Sequence, residues 1–126
     1  MARDAAFPFT YRQNLVALEQ LGDVTYFSPL ADAARPTGTD FLYLPGGYPE
    51  LFAGALSANA ALRASVAAYC ARGGAACAEC GGPMYLGQRI NATGQAFAMV
   101  GALHHVDGRR EDDPGLPRRR VEQPDR

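Results

Sequence analysis

Two short apolar runs, each closed by a pair of glycines, constrain this chain more than any other feature. Phe41-Leu42-Tyr43-Leu44 runs into Pro45-Gly46-Gly47, and the small-residue stretch Gly74–Glu79 runs into Cys80-Gly81-Gly82. The first, continuously apolar, suits a strand covered on both faces, the usual condition of a parallel sheet, and the second reads as another strand. Helical patterns fill the intervals. Tyr11, Leu15 and Leu18 recur at i, i+4 and i+7 and stop at Gly22, which predicts an amphipathic helix. Leu62, Val66 and Tyr69 mark one face of a second helix, with Asn59 placed to cap it and Gly73-Gly74 to end it. Asp23–Ser28 is β-branched and aromatic, stops at Pro29, and predicts a strand. A helix is expected from Pro83 to about Arg89, and a last strand over Ala98–Leu103. Helices alternating with strands through Gly/Pro turns imply an open α/β sheet, mostly parallel and flanked by helices, with flavodoxin-like layering. Chemistry in such sheets gathers at the carboxyl ends of the strands, where both Gly-Gly turns fall.

The chain divides into two regions. Residues 1–106 carry the periodic patterns, whereas twelve of the twenty residues 107–126 are Arg, Asp or Glu and five are Gly or Pro. That stretch buries too little to offset its ordering entropy, so a disordered, charged tail is expected there. The 126 residues otherwise fit one domain at roughly 100–200 residues each. A formal net charge of −1 favours neither nucleic acid nor a membrane surface, and Arg118-Arg119-Arg120 lies among acids that make it a solvated run. No apolar stretch approaches the roughly 18 residues of a membrane span, and Met1-Ala2-Arg3-Asp4 does not open a signal peptide. The chain contains no lysine, which removes a P-loop and places ATP chemistry of that kind elsewhere. An odd cysteine count of 3 suits a reduced, cytoplasmic setting better than a disulfide framework.

Cys80 closes a predicted strand and opens a predicted helix through two glycines. A sharp strand-to-helix turn of that kind exposes a nucleophile, and the free N–H groups and dipole of a helix start favour a thiolate. The Gly81 N–H is placed for a substrate carbonyl, and Gly46-Gly47 at the other strand end for a second donor, together an oxyanion hole. From these residues alone a buried structural cysteine in a tight turn is an equal alternative. Cys77 and Cys80 form a Cys-x-x-Cys, but an extended strand would set their Cα atoms about 10 Å apart, beyond the roughly 7 Å a disulfide spans. A zinc site from Cys70, Cys77, Cys80, His104 and His105 matches no usual spacing, so no metal is expected, and Cys70 reads as helix core. Glu79 is expected to anchor the turn rather than bind the substrate amine. His104 and His105, beside the charged tail, read as bystanders.

The segments Phe41–Leu51 (FLYLPGGYPEL) and Ala78–Gly87 (AECGGPMYLG) resemble the glutaminase domain of cobyrinate and hydrogenobyrinate a,c-diamide synthases. Ala2–Leu15 and Tyr26–Leu30 are similar to that family's opening, so the resemblance covers about residues 2–103. It implies a class I, Cys-His glutamine amidotransferase in which Cys80 is the nucleophile and Gly47 and Gly81 the oxyanion donors. Ammonia from glutamine would pass to a separate synthetase domain that uses ATP and Mg to amidate a corrinoid. No cofactor is implied for this chain itself. Relative to that family the synthetase domain is missing, the first strand is reduced to Met1-Ala2-Arg3, and no segment resembles the Gly-His-Glu-Phe-His stretch that carries the catalytic histidine. The expectation is therefore a truncated domain with little turnover of its own. The alternatives are a non-catalytic remnant or another Cys-dependent hydrolase of the same architecture.

Overall fold

The computed structural model describes residues 1–103, so the charged stretch 107–126 and His104-His105 lie outside the described residues. In chain order the elements are α1 (Arg12–Leu21), β1 (Phe41–Leu44), a 3₁₀ turn (Pro49–Phe52), α2 (Ala53–Ala58), α3 (Ala60–Ala71), β2 (Ala75–Ala78), α4 (Gly82–Leu86), β3 (Arg89–Ala92) and β4 (Gln95–Ala98). β1 and β2 pair in parallel, with Phe41 opposite Ala75 and Leu44 opposite Ala78. Residues 1–3 and the Thr25–Phe27 segment extend this pair. The Ala2 N–H donates to Tyr43 O at 2.9 Å and the Arg3 N–H to Phe27 O at 2.9 Å. The result is a parallel α/β layer, as the alternating pattern predicts, with β1 inside it.

Position inside the layer explains the burial of β1. Leu42, Tyr43 and Leu44 are all buried, so both faces of the strand are covered. Leu42 and Leu44 join Phe7, Phe27, Leu56, Leu62, Val66 and Tyr85 in the core. α3 matches its sequence pattern closely: Leu62, Val66 and Tyr69 are its buried residues, and the Asn59 side chain accepts the Leu62 N–H. The Asn59 amide also donates to Pro29 O at 3.0 Å and Asp32 O at 2.9 Å, so one side chain caps the helix and ties down the connection between α1 and β1. Asn59→Ala is expected to cost about 1–2 kcal/mol, the upper part of the range for a lost cap, read as a lower denaturant midpoint with an unchanged m-value.

Three sequence expectations need correction. Asp23–Ser28 is not a strand; only Phe27 pairs, in an isolated parallel bridge with Ala2. Asp4 turns the neighbouring chain away at this point. Its carboxylate accepts the Ala6 N–H at 2.8 Å and the Ser28 hydroxyl at 2.8 Å, which closes both segments into turns. The helix after Cys80 ends at Leu86 rather than near Arg89, and Arg89 instead begins an antiparallel hairpin in which Ile90 faces Phe97. Its two-residue turn has φ of 52° at Thr93 and 74° at Gly94, the positive pair of a type I′ turn. Thr-Gly is a weaker signal for that turn than Asn-Gly, so the hairpin is hard to see in the sequence. Finally, Met99–Leu103 is not a strand, because it closes the end of α4. The N–H groups of Val100, Gly101 and Ala102 donate to Tyr85 O, Gly87 O and Leu86 O at 2.7 to 3.0 Å. These are among the carbonyls a helix leaves without partners at its C-terminus.

α1 is more exposed than its pattern suggests. It has no buried residue; Leu15 and Leu18 are half-buried, and Tyr11 lies before the helix, 59% exposed. Among the described residues no single helix is long and apolar enough to cross a membrane.

Candidate functional site

Cys80 lies just past β2 with φ of 53° and its side chain is exposed. The Gly82 N–H donates to Glu79 O at 2.8 Å, closing a turn whose central residues are Cys80 and Gly81. A positive φ at the first central position and a φ of −74° at Gly81 follow the type II′ pattern, which favours glycine at the first place. A cysteine there holds backbone strain of about 1–3 kcal/mol, sustained because the surroundings fix the turn from several sides.

The glycines allow that fixation. A Cβ on Gly82 would lie 2.7 Å from Leu44 O and 3.0 Å from Ala78 Cβ; one on Gly81 would lie 2.7 Å from Pro49 Cδ and 2.8 Å from Gly47 O. The cysteine turn is therefore pressed into the end of β1 and into the Pro45-Gly46-Gly47 turn. Gly47 is equally constrained, since a Cβ there would collide with Ala6 O and sit 2.8 Å from Phe7 Cα. Gly46 lies under the nucleophile candidate itself: a Cβ on it would meet Cys80 Cβ at 3.3 Å and Phe9 Cδ1 at 3.5 Å. Cys80, Gly46, Gly47 and Gly81, singled out from the sequence as separate motifs, thus converge at the carboxyl ends of β1 and β2. Among the described residues neither the Gly47 nor the Gly81 N–H donates a hydrogen bond. α4 has only five residues, so what the turn offers is free N–H groups more than a helix dipole.

The other cysteines differ from Cys80. All three are free thiols, and Cys70 and Cys77 are partly buried. Burial pushes both thiols above the usual range, and Glu79 raises Cys77 further. Glu79 accepts side-chain bonds rather than backbone N–H groups: its Oε2 accepts the Tyr43 hydroxyl at 2.8 Å and the Asn14 amide at 3.5 Å. The Asn14 amide also reaches the Tyr43 hydroxyl at 3.3 Å. Burial, followed by the hydrogen bond to Glu79, pushes the Tyr43 hydroxyl up to about 12, so it remains a donor throughout the neutral range. Sequence reading did not single out Asn14 or Tyr43. They come from α1 and β1, and no local spacing announces that they meet. Phe9, edge-on to Tyr11 with ring centroids 5.0 Å apart, flanks Gly46 and was also not singled out. Among the described residues no three His, Cys, Asp or Glu side chains gather as metal ligands would.

Comparison with known proteins adds to this geometry. A family model described as the CobB/CobQ-like glutamine amidotransferase domain matches residues 1–111. The cobyrinate a,c-diamide synthase of Clostridium acetobutylicum is 46% identical over 101 residues, which is 80% of this chain and 22% of that protein. The hydrogenobyrinate a,c-diamide synthase of Sinorhizobium sp is 43% identical over 123 residues, 96% of this chain and 28% of that protein. The enzyme of that name from Pseudomonas aeruginosa is 46% identical over 105 residues, 82% and 24% respectively. The chain therefore spans 22 to 28% of the length of these relatives. No solved structure matches it.

Proposed function

Since the chain belongs to the CobB/CobQ-like glutamine amidotransferase domain family, we propose that it is the glutaminase part of a corrinoid a,c-diamide synthase, with Cys80 as nucleophile. The observation that carries this reading is an exposed cysteine at positive φ, set between two glycine turns whose Gly47 and Gly81 N–H groups are undonated. The Cys80 thiolate attacks the side-chain amide carbon of glutamine, and the carbonyl electrons move onto oxygen. Gly47 and Gly81 N–H groups stabilise that oxyanion without reorganising, because the contacts around both glycines prevent the turns from shifting. Gly46 leaves room for the cysteine side chain. Collapse of the intermediate expels ammonia and leaves a thioester, which water hydrolyses to glutamate. Each half-reaction moves a proton, which a positioned acid/base accelerates by about 10²–10⁴-fold; His104 and His105 lie outside the described residues. The ammonia goes to a synthetase domain that uses ATP and Mg to convert carboxylates of cobyrinate or hydrogenobyrinate to amides.

Selective alkylation tests the assignment. A diazoketone analogue of glutamine, incubated with the chain at neutral pH and mapped by mass spectrometry, is expected to modify Cys80. Cys70 and Cys77 should stay largely unmodified, because their raised pKa values leave less thiolate at neutral pH. Their labelling should rise only above the usual thiol range. Label spread evenly over the three, or concentrated on Cys77, rejects Cys80 as the nucleophile.

A further inference from the structure

Glu79 is the residue on which the left-handed Cys80 hangs, and it is fastened from several directions. Its N–H donates to Leu44 O at 3.0 Å, at the end of β1, and its carbonyl accepts the Gly82 N–H at 2.8 Å. Its carboxylate is held by the Tyr43 hydroxyl at 2.8 Å, and Asn14 on α1 reaches both Glu79 Oε2 and the Tyr43 hydroxyl. Tyr43 is only 5% exposed, and stands opposite Cys77 in the β1–β2 register, so the hydroxyl approaches from a rigid position. The chain of donors runs from α1 through β1 to the residue before the nucleophile. A backbone position that costs about 1–3 kcal/mol persists only where its surroundings over-determine it, and this network is the side-chain part of that constraint.

We infer that Glu79 is a positioning residue for the reaction proposed above: through Tyr43 and Asn14 its carboxylate clamps the residue before Cys80, holding the nucleophile in its left-handed conformation beside the Gly46-Gly47 turn. The inference rests on Cys80 being the nucleophile, and it differs from a role in binding the substrate's amino group. A clamp acts on the rate of the chemical step at saturation. An amine-binding carboxylate acts on the concentration needed for saturation.

The test is the alkylation of the chain by the diazoketone analogue of glutamine, resolved into a limiting rate and a half-saturating concentration. Glu79→Ala is expected to lower the limiting rate about tenfold or more, since small misplacements of a reacting group cost up to about 10²-fold, while half-saturation moves less than about threefold. Glu79→Gln keeps an oxygen that accepts from Tyr43, and should recover most of the rate. Tyr43→Phe, which removes one hydroxyl, should fall between and carries the test if Glu79→Ala unfolds. A loss confined to half-saturation overturns the inference in favour of amine binding. Wild-type rates in Tyr43→Phe, or no recovery in Glu79→Gln, overturn it as well. Iodoacetamide, which needs no glutamine site, separates the two readings. A wild type alkylated at Cys80 by iodoacetamide but not by the analogue sinks the proposed glutaminase. In that case slower iodoacetamide alkylation of Cys80 in Tyr43→Phe still supports the clamp, and an equal rate overturns it.

Discussion

Cys80→Gly is expected to abolish modification by the glutamine analogue and at the same time to make the protein more stable. The first half follows from removing the only thiol placed at the convergence of the two glycine turns. The second follows from φ of 53° at position 80, a region that costs an L-residue about 1–2 kcal/mol and glycine nothing comparable. Part of this gain is offset by the greater freedom of glycine in the unfolded chain, so the net increase should be about 1 kcal/mol. Cys80→Ala separates the two effects, since it removes the thiol but keeps the Cβ and its strain; stability should stay near wild type. Denaturant melts of the three proteins check the ordering. Equal stability of Cys80→Gly and Cys80→Ala would mean that the turn holds no strain. A gain in Cys80→Gly alone would identify position 80 as one where function is kept against stability.

Gly47→Ala is expected to be the most damaging glycine-to-alanine change among the described residues. The added Cβ would overlap Ala6 O and approach Phe7 Cα to 2.8 Å, and both obstacles are backbone that no rotamer change can move. Displacing residues 6–9 would break the Tyr48 N–H bond to Ala6 O at 3.0 Å and the Phe9 N–H bond to Gly46 O at 3.1 Å. It would also pull Phe7, which is fully buried edge-on against Tyr85 at 5.5 Å between ring centroids, out of its place. The combined loss should be about 3–5 kcal/mol, at the severe end for a single substitution, enough to remove most of the stability of a domain near the low end of the usual range of about 5–15 kcal/mol. Gly22→Ala is the control. Its Cβ would meet nothing within 4 Å and its extended backbone accepts any residue, so the change should fall within about 0.5 kcal/mol or be mildly stabilising. Comparable melts for the two variants would show that the first glycine turn is not packed as described.

These cases show how the legibility of the sequence divides. Elements whose cause is local were readable in advance. β1 is a run of apolar residues, and α3 combines a periodic face with a side-chain cap and a glycine stop. The two turns that hold the site announce themselves because only glycine tolerates such close backbone approach. Their convergence also followed from a general property of parallel sheets, since strands running the same way bring their carboxyl ends to one edge.

What the tertiary structure decided is where a segment's partners come from elsewhere in the chain. Asp23–Ser28 has the composition of a strand, but its neighbour turns at Asp4, whose carboxylate accepts the Ala6 and Phe7 N–H groups, and the Ser28 N–H goes to Asp32 Oδ2, which leaves Phe27 as a single bridge. Met99–Leu103 is apolar enough for a strand, yet its N–H groups go to the open carbonyls at the end of α4. Asn14 and Glu79 are 65 positions apart, and neither carries any local mark of the other. A sequence by itself states which backbone conformations and buried faces each stretch prefers, because those depend on near neighbours. It does not state which of several competing donors will satisfy a distant acceptor, because that depends on distances that exist only once the sheet has formed.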